Sequence, residues 1–528
     1  MDKPTAQQNL INFRNELYPL FPKRADAIMN LLDATCSHAH QCNSVVSLSE
    51  ASAFNREYSS ITDAIADGLP KAQWDKINIH VYDTFSQDNK ESCSPHRFVL
   101  DCTGNPRPYA KKCSDRSINH APNPAPGNKP IAVGHQYSII AALPNNSLAA
   151  NKHWVLPVSS RRIESSCKGH EEGMVQLSET IDTLNLDDKL TMSVGDSLYG
   201  TQQCRESAVG IANHIHLFRL NSTRNIYNAV DEFPLANKKS KGRQKRYGKK
   251  IALKKLHDEL EPDVIKSTPY TNNKGKQYTI HISMWKDKLL RGTRAFKSFD
   301  HPINVVCFEM RDAKGNAVFK NKCWVAVLGK RRHEISALDA CKHYRSRYDI
   351  EHFFRFCKTK LLIDKYQTPD TTHEENWWSL CLLAYAQLFF GKECVTATAK
   401  KWEKYLPAFK HSNETLYSPS LTQRGFAKLL TCIDTPARPC IIRGIISGRA
   451  IGDLQTKRTR HPIIFKTKSV KKEQQKTINP GSEHASKCSD PQKIEDLIDL
   501  CVKSLKRFGV SIDKYFDLLR MQPITGLN

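Results

Sequence analysis

Four residues in the stretch YRSRYDIEHFFRFCK have types and spacing suited to chemistry: Tyr344, Arg347, Glu351 and Lys358. Their offsets from the first are 3, 7 and 14. At roughly 100° per residue on one helix they fall within an arc of about 60°. One face would then carry a carboxylate between two cations and a phenol. Such a face can hold a divalent metal and grip phosphates beside it. A solvated helix face with charge pairs shows the same pattern. Phe353, Phe356 and Leu362 point elsewhere and are expected to pack in a core.

The elements that must position this face lie upstream. HRFVLDCTG is a short apolar run, predicted as a strand ending at Asp101. A turn-rich loop follows, then strands from Gly134 (GHQYSIIAAL) and His153 (HWVLPVSSRRI), close enough for an antiparallel meander. Glu171 to Leu186 reads as a helix, and LTMSVGDSLYG as a fourth strand ending at Asp196. A helix from Gln202 to Asn213 and the strand HIHLFRL complete the series. Three strands, a helix, a strand, a helix and a strand is the order of a ribonuclease-H-like α/β fold. In that fold the first and fourth strands are neighbours, so Asp101 and Asp196 would converge. Each alone could be an ordinary strand-end cap.

The spacing Tyr, two residues, Arg, three residues, Glu, six residues, Lys resembles the signature of the DDE transposases of bacterial insertion sequences called the YREK, or insertion-sequence-four-like, group. All four positions match. The contexts Asp101-Cys102-Thr103 and Gly-Asp196-Ser-Leu-Tyr-Gly, and the segment SLSEASAFNREYSSI, resemble the same group. The resemblance implies that Asp101, Asp196 and Glu351 are the catalytic, metal-binding carboxylates. It implies that Tyr344, Arg347 and Lys358 hold phosphates of the element's end. A Trp near Trp324 would stack on a base flipped out of that end, with Trp285 as the alternative. A core Trp in a sheet is the plainer reading of either residue.

Composition narrows the partners. The net charge is +25, from 79 basic and 54 acidic residues. That excess favours a polyanion, nucleic acid first. A membrane surface is the rival, but the longest uncharged apolar run, Trp377 to Gly391, is too short to span a bilayer. The N-terminus lacks the layout of a signal peptide, and the expected location is the bacterial cytoplasm, with the nucleoid. The 17 cysteines show no paired spacing and read as reduced thiols. The cluster Cys36, His38, His40, Cys42 has no second cluster to complete a zinc site.

At 528 residues several domains are expected. They are a helical DNA-binding region over 1–92, a catalytic core over 93–215, a β-rich insertion over 216–332, the rest of the core with the signature helix over 333–400, and a helical region over 401–528. In the first, Leu10, Phe13 and Leu17 repeat at helical spacing, as do Phe54, Tyr58, Ile61 and Ile65. In the insertion, Lys238 to Lys255 holds ten basic residues in eighteen and reads as a solvated loop or a phosphate contact. QYTIHISMW, PINVVCFEMR and CWVAVLG read as strands, the last two joined by the turn AKGN. TTHEENWWSLCLLAYAQLFFG is a helix that closes the fold. Thr456 to Lys476 is a second basic stretch. Ile494, Leu497, Ile498, Cys501 and Leu505 form one amphipathic face, for packing or a subunit contact.

The implied chemistry is phosphodiester hydrolysis and strand transfer with two Mg²⁺ or Mn²⁺ ions, which two-metal sites hold about 3.5–4 Å apart. The implied partners are double-stranded DNA, as terminal inverted repeats and target, and a second copy of the chain when assembled on DNA. A domesticated or inactive DNA-binding descendant, a ribonuclease-H-fold nuclease, and an RNA scaffold are the competing classes.

Overall fold

A computed structural model describes residues 3–38, 42–88, 95–121, 130–144, 153–230, 246–272, 275–395, 418–441, 450, 452, 454 and 457–465. The N-terminal region is helical: α1 (Lys3–Leu17), α2 (Ala25–Ser37), the short α3 (Ser59–Asp63) and α4 (Trp74–Asp88). Leu10, Phe13 and Leu17 are buried, as their spacing predicts. The second expected repeat is only partly helical. Phe54 precedes α3, and Tyr58 at its N-cap is exposed.

These helices pack on α10 (Thr371–Gly391), apolar on nearly every face and buried almost throughout. Asp370 starts α10 by accepting the Thr372 and His373 N–H groups at 2.8 and 3.2 Å. Inside the helical layer Arg14 of α1 grips Asp33 of α2 bidentately at 2.5 and 2.8 Å. Gln387 of α10 accepts from Arg14 at 2.9 Å and donates to Asp33 at 3.1 Å. A buried ion pair must have its lone pairs filled in this way to be tolerated.

The sheet begins as the strand order predicts. β1 (His96–Pro106), β3 (Ile131–Ala142) and β4 (Leu156–Ile163) pair antiparallel. α5 (Gly169–Thr183) leads to β5 (Thr191–Gly195), which lies parallel to β1. α6 (Gln202–Gly210) leads to β6 (His214–Arg219), parallel to β5. Two details differ. β1 runs five residues past Asp101, and β2 (Ser117–His120) adds an edge strand within the expected loop.

The β-rich segment after β6 does not stand apart. Two short strands, β7 (Asn225–Tyr227) and β8 (Lys250–Ala252), pair with each other and precede the one-turn helix α7 (Leu256–Glu259). The long strands β9 (Val264–Thr271), β10 (Gln277–Lys288), β11 (Ile303–Asp312) and β12 (Cys323–Leu328) form a meander. β12 hydrogen-bonds to β6, giving one ten-stranded sheet. The boundary expected at 216 therefore falls inside β6. β9 escapes sequence reading because Val264–Thr271 is largely polar and contains Pro269. Both suit an edge strand, where an absent N–H leaves no ladder bond unmade.

The signature stretch departs most from expectation. It forms two helices, α8 (Ala337–Ser346) and α9 (Asp349–Lys360). At the corner the N–H groups of Arg347, Tyr348, Ile350 and Glu351 reach back only three residues, at 3.1–3.2 Å. The chain tightens and turns there. Asp349 and Glu351 then occupy the first turn of α9, where the helix dipole favours acids. α11 (Pro419–Ile433) is the last helix among the described residues. The amphipathic face from Ile494 and most of the basic stretch from Thr456 lie outside them.

Candidate active site

Parallel pairing of β1 with β5 sets Val99 opposite Val194. Two residues further, the same register puts Asp101 opposite Asp196. Asp196 stands at the end of β5, where its Oδ1 accepts the Leu198 N–H at 2.7 Å and fixes the turn. Gly195 makes that turn possible. A Cβ there would lie 2.6 Å from the Cβ of Tyr199, which folds back beneath the strand.

Arg347, at the corner between α8 and α9, joins this pair to the third carboxylate. It donates Nη1–H to Asp101 Oδ2 at 3.3 Å and Nη2–H to Glu351 Oε1 at 2.9 Å. One guanidinium thus spans β1 and α9. Asp101 feels the crowding. Burial pushes its pKa up to about 6; Arg347 opposes the shift, and Asp196 and Glu351 add to it. Arg347 stays firmly charged, because Tyr344, Asp101 and Glu351 outweigh the cost of its burial.

The other signature residues serve differently from a single open face. Tyr344 is buried in the core under β11, its ring 6.2 Å from that of Phe308 and within 6.0 Å of the Arg347 guanidinium carbon. Lys358 donates to Thr103 Oγ1 at 2.7 Å and to the Gly104 carbonyl at 2.8 Å, fastening α9 to β1 just beyond Asp101. Phe353, Phe356 and Leu362 are buried, as expected.

Trp324 takes the plainer of its two expected places, in the core of the sheet, and not the open position that base stacking requires. It is 4% exposed, on β12, with its ring 5.8 Å from Trp285 and 5.7 Å from His257. The sheet extension is covered by α7, so no face is open to a base. Trp285 is also buried and donates its indole N–H to Leu260 O. Of the basic stretch, residues 238–245 lie outside the described residues. Its end forms short structured elements, with Ile251 and Leu253 buried and Arg246, Lys249, Lys250, Lys254 and Lys255 exposed.

Three carboxylates, the pKa of one raised by burial to about 6, fit a hard divalent cation, which prefers oxygen donors. A second group fails that test. Cys113, His135 and Glu374 lie close enough to share an ion. Both Glu374 oxygens are already taken, by Arg107 Nε, His135 Nδ1 and Tyr137 Oη, each at 2.8 Å. His135 Nε2 donates to Ser114 O at 2.8 Å. Both imidazole nitrogens therefore carry hydrogens and neither can ligate. Burial works against that charge, but Cys113 and Glu374 raise the His135 pKa to about 10. The group is an internal ion pair, missed in the sequence because Glu374 sits in the polar opening TTHEEN of α10, where an acid is ordinary. Cys36 and Cys42 donate to separate carbonyls, Ala384 O and Ser47 O. His40 lies outside the described residues. The fourteen described cysteines are all free.

Asp101→Asn is expected to stabilise the metal-free protein. The folded carboxyl has the higher pKa, so between about pH 4 and 6 the folded state binds more protons and stability falls as pH rises. Removing the charge should recover roughly 1–3 kcal/mol at pH 8. Thermal melts in a chelator should show this gain, and it should vanish near pH 4. A variant that melts lower than wild type at pH 8 would contradict the crowding.

No helix among the described residues is long and apolar enough to cross a membrane. No curated protein matches the chain. The family model of the DDE superfamily endonucleases matches residues 16–290, a span that holds Asp101 and Asp196 and ends before Glu351. Such endonucleases act on DNA and normally use divalent metals. The match takes in just over half of the 528 residues, and the chain belongs to the DDE superfamily endonuclease family.

Proposed function

We propose that the chain is the DNA transposase of a bacterial insertion sequence of the YREK group, cutting element ends and joining them to target DNA. The observation that carries this reading is the Arg347 bridge between Asp101 and Glu351, with Asp196 on the neighbouring strand. Asp101, Asp196 and Glu351 would hold two Mg²⁺ or Mn²⁺ ions. Bound there, the ions supply charge stabilisation at the scissile phosphate and ease deprotonation of the attacking water or 3′-hydroxyl.

The chain's own residues do the rest. Arg347 is a planar fork that can exchange a carboxylate for a phosphate oxygen when DNA arrives. Tyr344 backs the guanidinium and limits its swing. Lys358 keeps β1 and α9 together, so that Asp101 and Glu351 hold their separation. The +25 charge draws DNA to the site. Two copies would assemble on paired ends in the nucleoid.

The test uses linear DNA ending in the sequences that flank the gene, with a supercoiled target and Mg²⁺ or Mn²⁺. Cleavage at the ends and joined products are expected. Arg347→Ala should weaken end binding by about tenfold, the loss of one charge-assisted contact, and slow cleavage further. Cleavage without any joined product would reduce the reading to a nuclease. No metal-dependent cleavage would remove it.

A further inference from the structure

We propose that His216 is a positioning residue for Asp196: its imidazole N–H holds the Tyr199 carbonyl and so fixes the turn that sets Asp196 for a divalent cation. The inference rests on the metal-dependent reading above and adds the group that places the second carboxylate.

Asp196 follows the end of β5, and its Oδ1 accepts the Leu198 N–H. Its direction therefore depends on where the turn Leu198–Gly200 sits. Tyr199 anchors that turn. Its ring is buried beneath Gly195, and its hydroxyl lies 3.6 Å from Cys102 Sγ, next to Asp101 on β1. On the other side the Tyr199 carbonyl accepts the Nε2–H of His216 on β6 at 3.1 Å. Strands β1 and β6 are the two neighbours of β5. The turn bearing Asp196 is thus tied to both strands that flank it.

The imidazole is held in one orientation. A carbonyl can only accept, so His216 Nε2 carries the hydrogen. Burial lowers the His216 pKa to about 4, although the Tyr199 carbonyl opposes the shift. The ring is therefore neutral near pH 7 and its Nδ1 is an acceptor. Ser193 Oγ, 2.7 Å away, donates its one hydrogen to that nitrogen. Ser193 Oγ must then accept from His214 Nε2, also at 2.7 Å. His214 is neutral too, since burial and then His216 take its pKa to about 3. Its Nδ1 accepts from Thr191 Oγ1 at 2.8 Å. Four hydrogen bonds run in one direction between β5 and β6, from Thr191 to the Asp196 turn. All the side chains in the chain are buried.

The opposite face of the same strands is filled by Met192, Val194, Ile215 and Leu217, all apolar. Packing alone needs no histidines here. The polar face carries a desolvation cost that the apolar one avoids, and it is the face that reaches the Asp196 turn. Partners one step behind a metal ligand orient it in this way.

The experiment counts Mn²⁺ taken up by the full chain without DNA, from the EPR signal of the free ion. Plasmid nicking over a range of Mn²⁺ is measured beside it. His216→Phe keeps a flat ring without a donor. It should need about tenfold more Mn²⁺ for half-saturation, the lower end for changes behind a metal ligand. Its nicking should recover when Mn²⁺ saturates. His216→Asn, whose amide is too short to reach Tyr199, should behave alike and stands in if the Phe variant does not fold. His216→Gln carries an amide N–H as many bonds from the backbone as Nε2 and should match wild type. A role in stability alone would lower the melting temperature and leave the Mn²⁺ midpoint in place, and that result overturns the proposal. So does a Gln variant as weak as Phe, because the donor would then not matter. In either case wild-type uptake and nicking leave the nuclease reading standing. A wild type that neither takes up Mn²⁺ nor nicks DNA takes both readings down.

Discussion

Glu351→Gln should bind DNA within about twofold of wild type, yet cleave it on the order of 10³-fold more slowly or worse. The amide keeps the size and helical fit of the carboxylate but cannot supply the charge a hard cation requires. Lewis-acid stabilisation is worth several kcal/mol in the transition state, and about 4 kcal/mol corresponds to that factor. Folding should be little affected. Glu351 is 41% exposed, and its pair with Arg347 is an i,i+4 contact, worth about 0–1 kcal/mol at such a position. Arg347 also retains Asp101 at 3.3 Å, so the corner between α8 and α9 keeps an anchor. A filter-binding assay beside a plasmid-nicking assay in Mn²⁺ separates the two effects. Nicking at the wild-type rate would remove Glu351 from the chemistry, and α9 would then be an ordinary helix pinned to a sheet.

The second large effect lies away from the carboxylates. Glu374→Gln should cost on the order of 3–5 kcal/mol, because it leaves Arg107 and His135 charged and buried without their counter-charge. Burial alone would raise the Glu374 pKa, but His135 and Arg107 outweigh it and hold the carboxyl at about 2. The signs define a pH window. A carboxyl with a depressed folded pKa contributes fully above about 4.5 and loses that contribution as pH falls toward 2. A histidine raised to about 10 contributes fully below about 6.5 and loses it as pH rises toward 10. Wild type should therefore be held most firmly by this pair between about pH 4.5 and 6.5. Urea unfolding across pH should show the broad optimum in wild type and a flatter, lower profile in Glu374→Gln. A shift of the midpoint too small to measure would mean that a rearranged network keeps Arg107 and His135 satisfied.

The core α/β topology was legible because each element carries its own signal. Strand β5 is five apolar or small residues ending at an acid, and α10 is a long apolar run with an Asp cap. The approach of Asp101 to Asp196 followed from that topology, since neighbouring parallel strands deliver their ends to one place. The break at Arg347 was not legible. The spacing of Tyr344, Arg347, Glu351 and Lys358 satisfies one straight helix, and no glycine or proline marks the corner. Tertiary contacts set it there, through Arg347 to Asp101 and Asp349 to His153. The burial of Trp324 could not be decided in advance for a related reason. Strand β12 is buried on both faces, and an apolar run does not say what lies over it. β9 was passed over because an edge strand is free to be polar.

The cluster of Arg14, Asp33 and Gln387 has a consequence for how the chain is made. Asp33 and Gln387 are 354 residues apart. At the usual 5–20 residues per second, α2 leaves the ribosome roughly 20–70 s before α10 exists to cover it. During that interval Leu31, Leu32 and Met29, buried in the finished protein, have no permanent shelter. A chain halted at residue 290, where the family match ends, would have both aspartates of the candidate site, yet neither α10 nor the strand β12 that closes onto β6. Such a fragment would expose the apolar faces of the helical layer and of β6 together. Until α10 has been made the helical layer of the nascent chain stays open, and the candidate site is incomplete until Glu351 on α9 has followed Asp101 and Asp196 out of the ribosome.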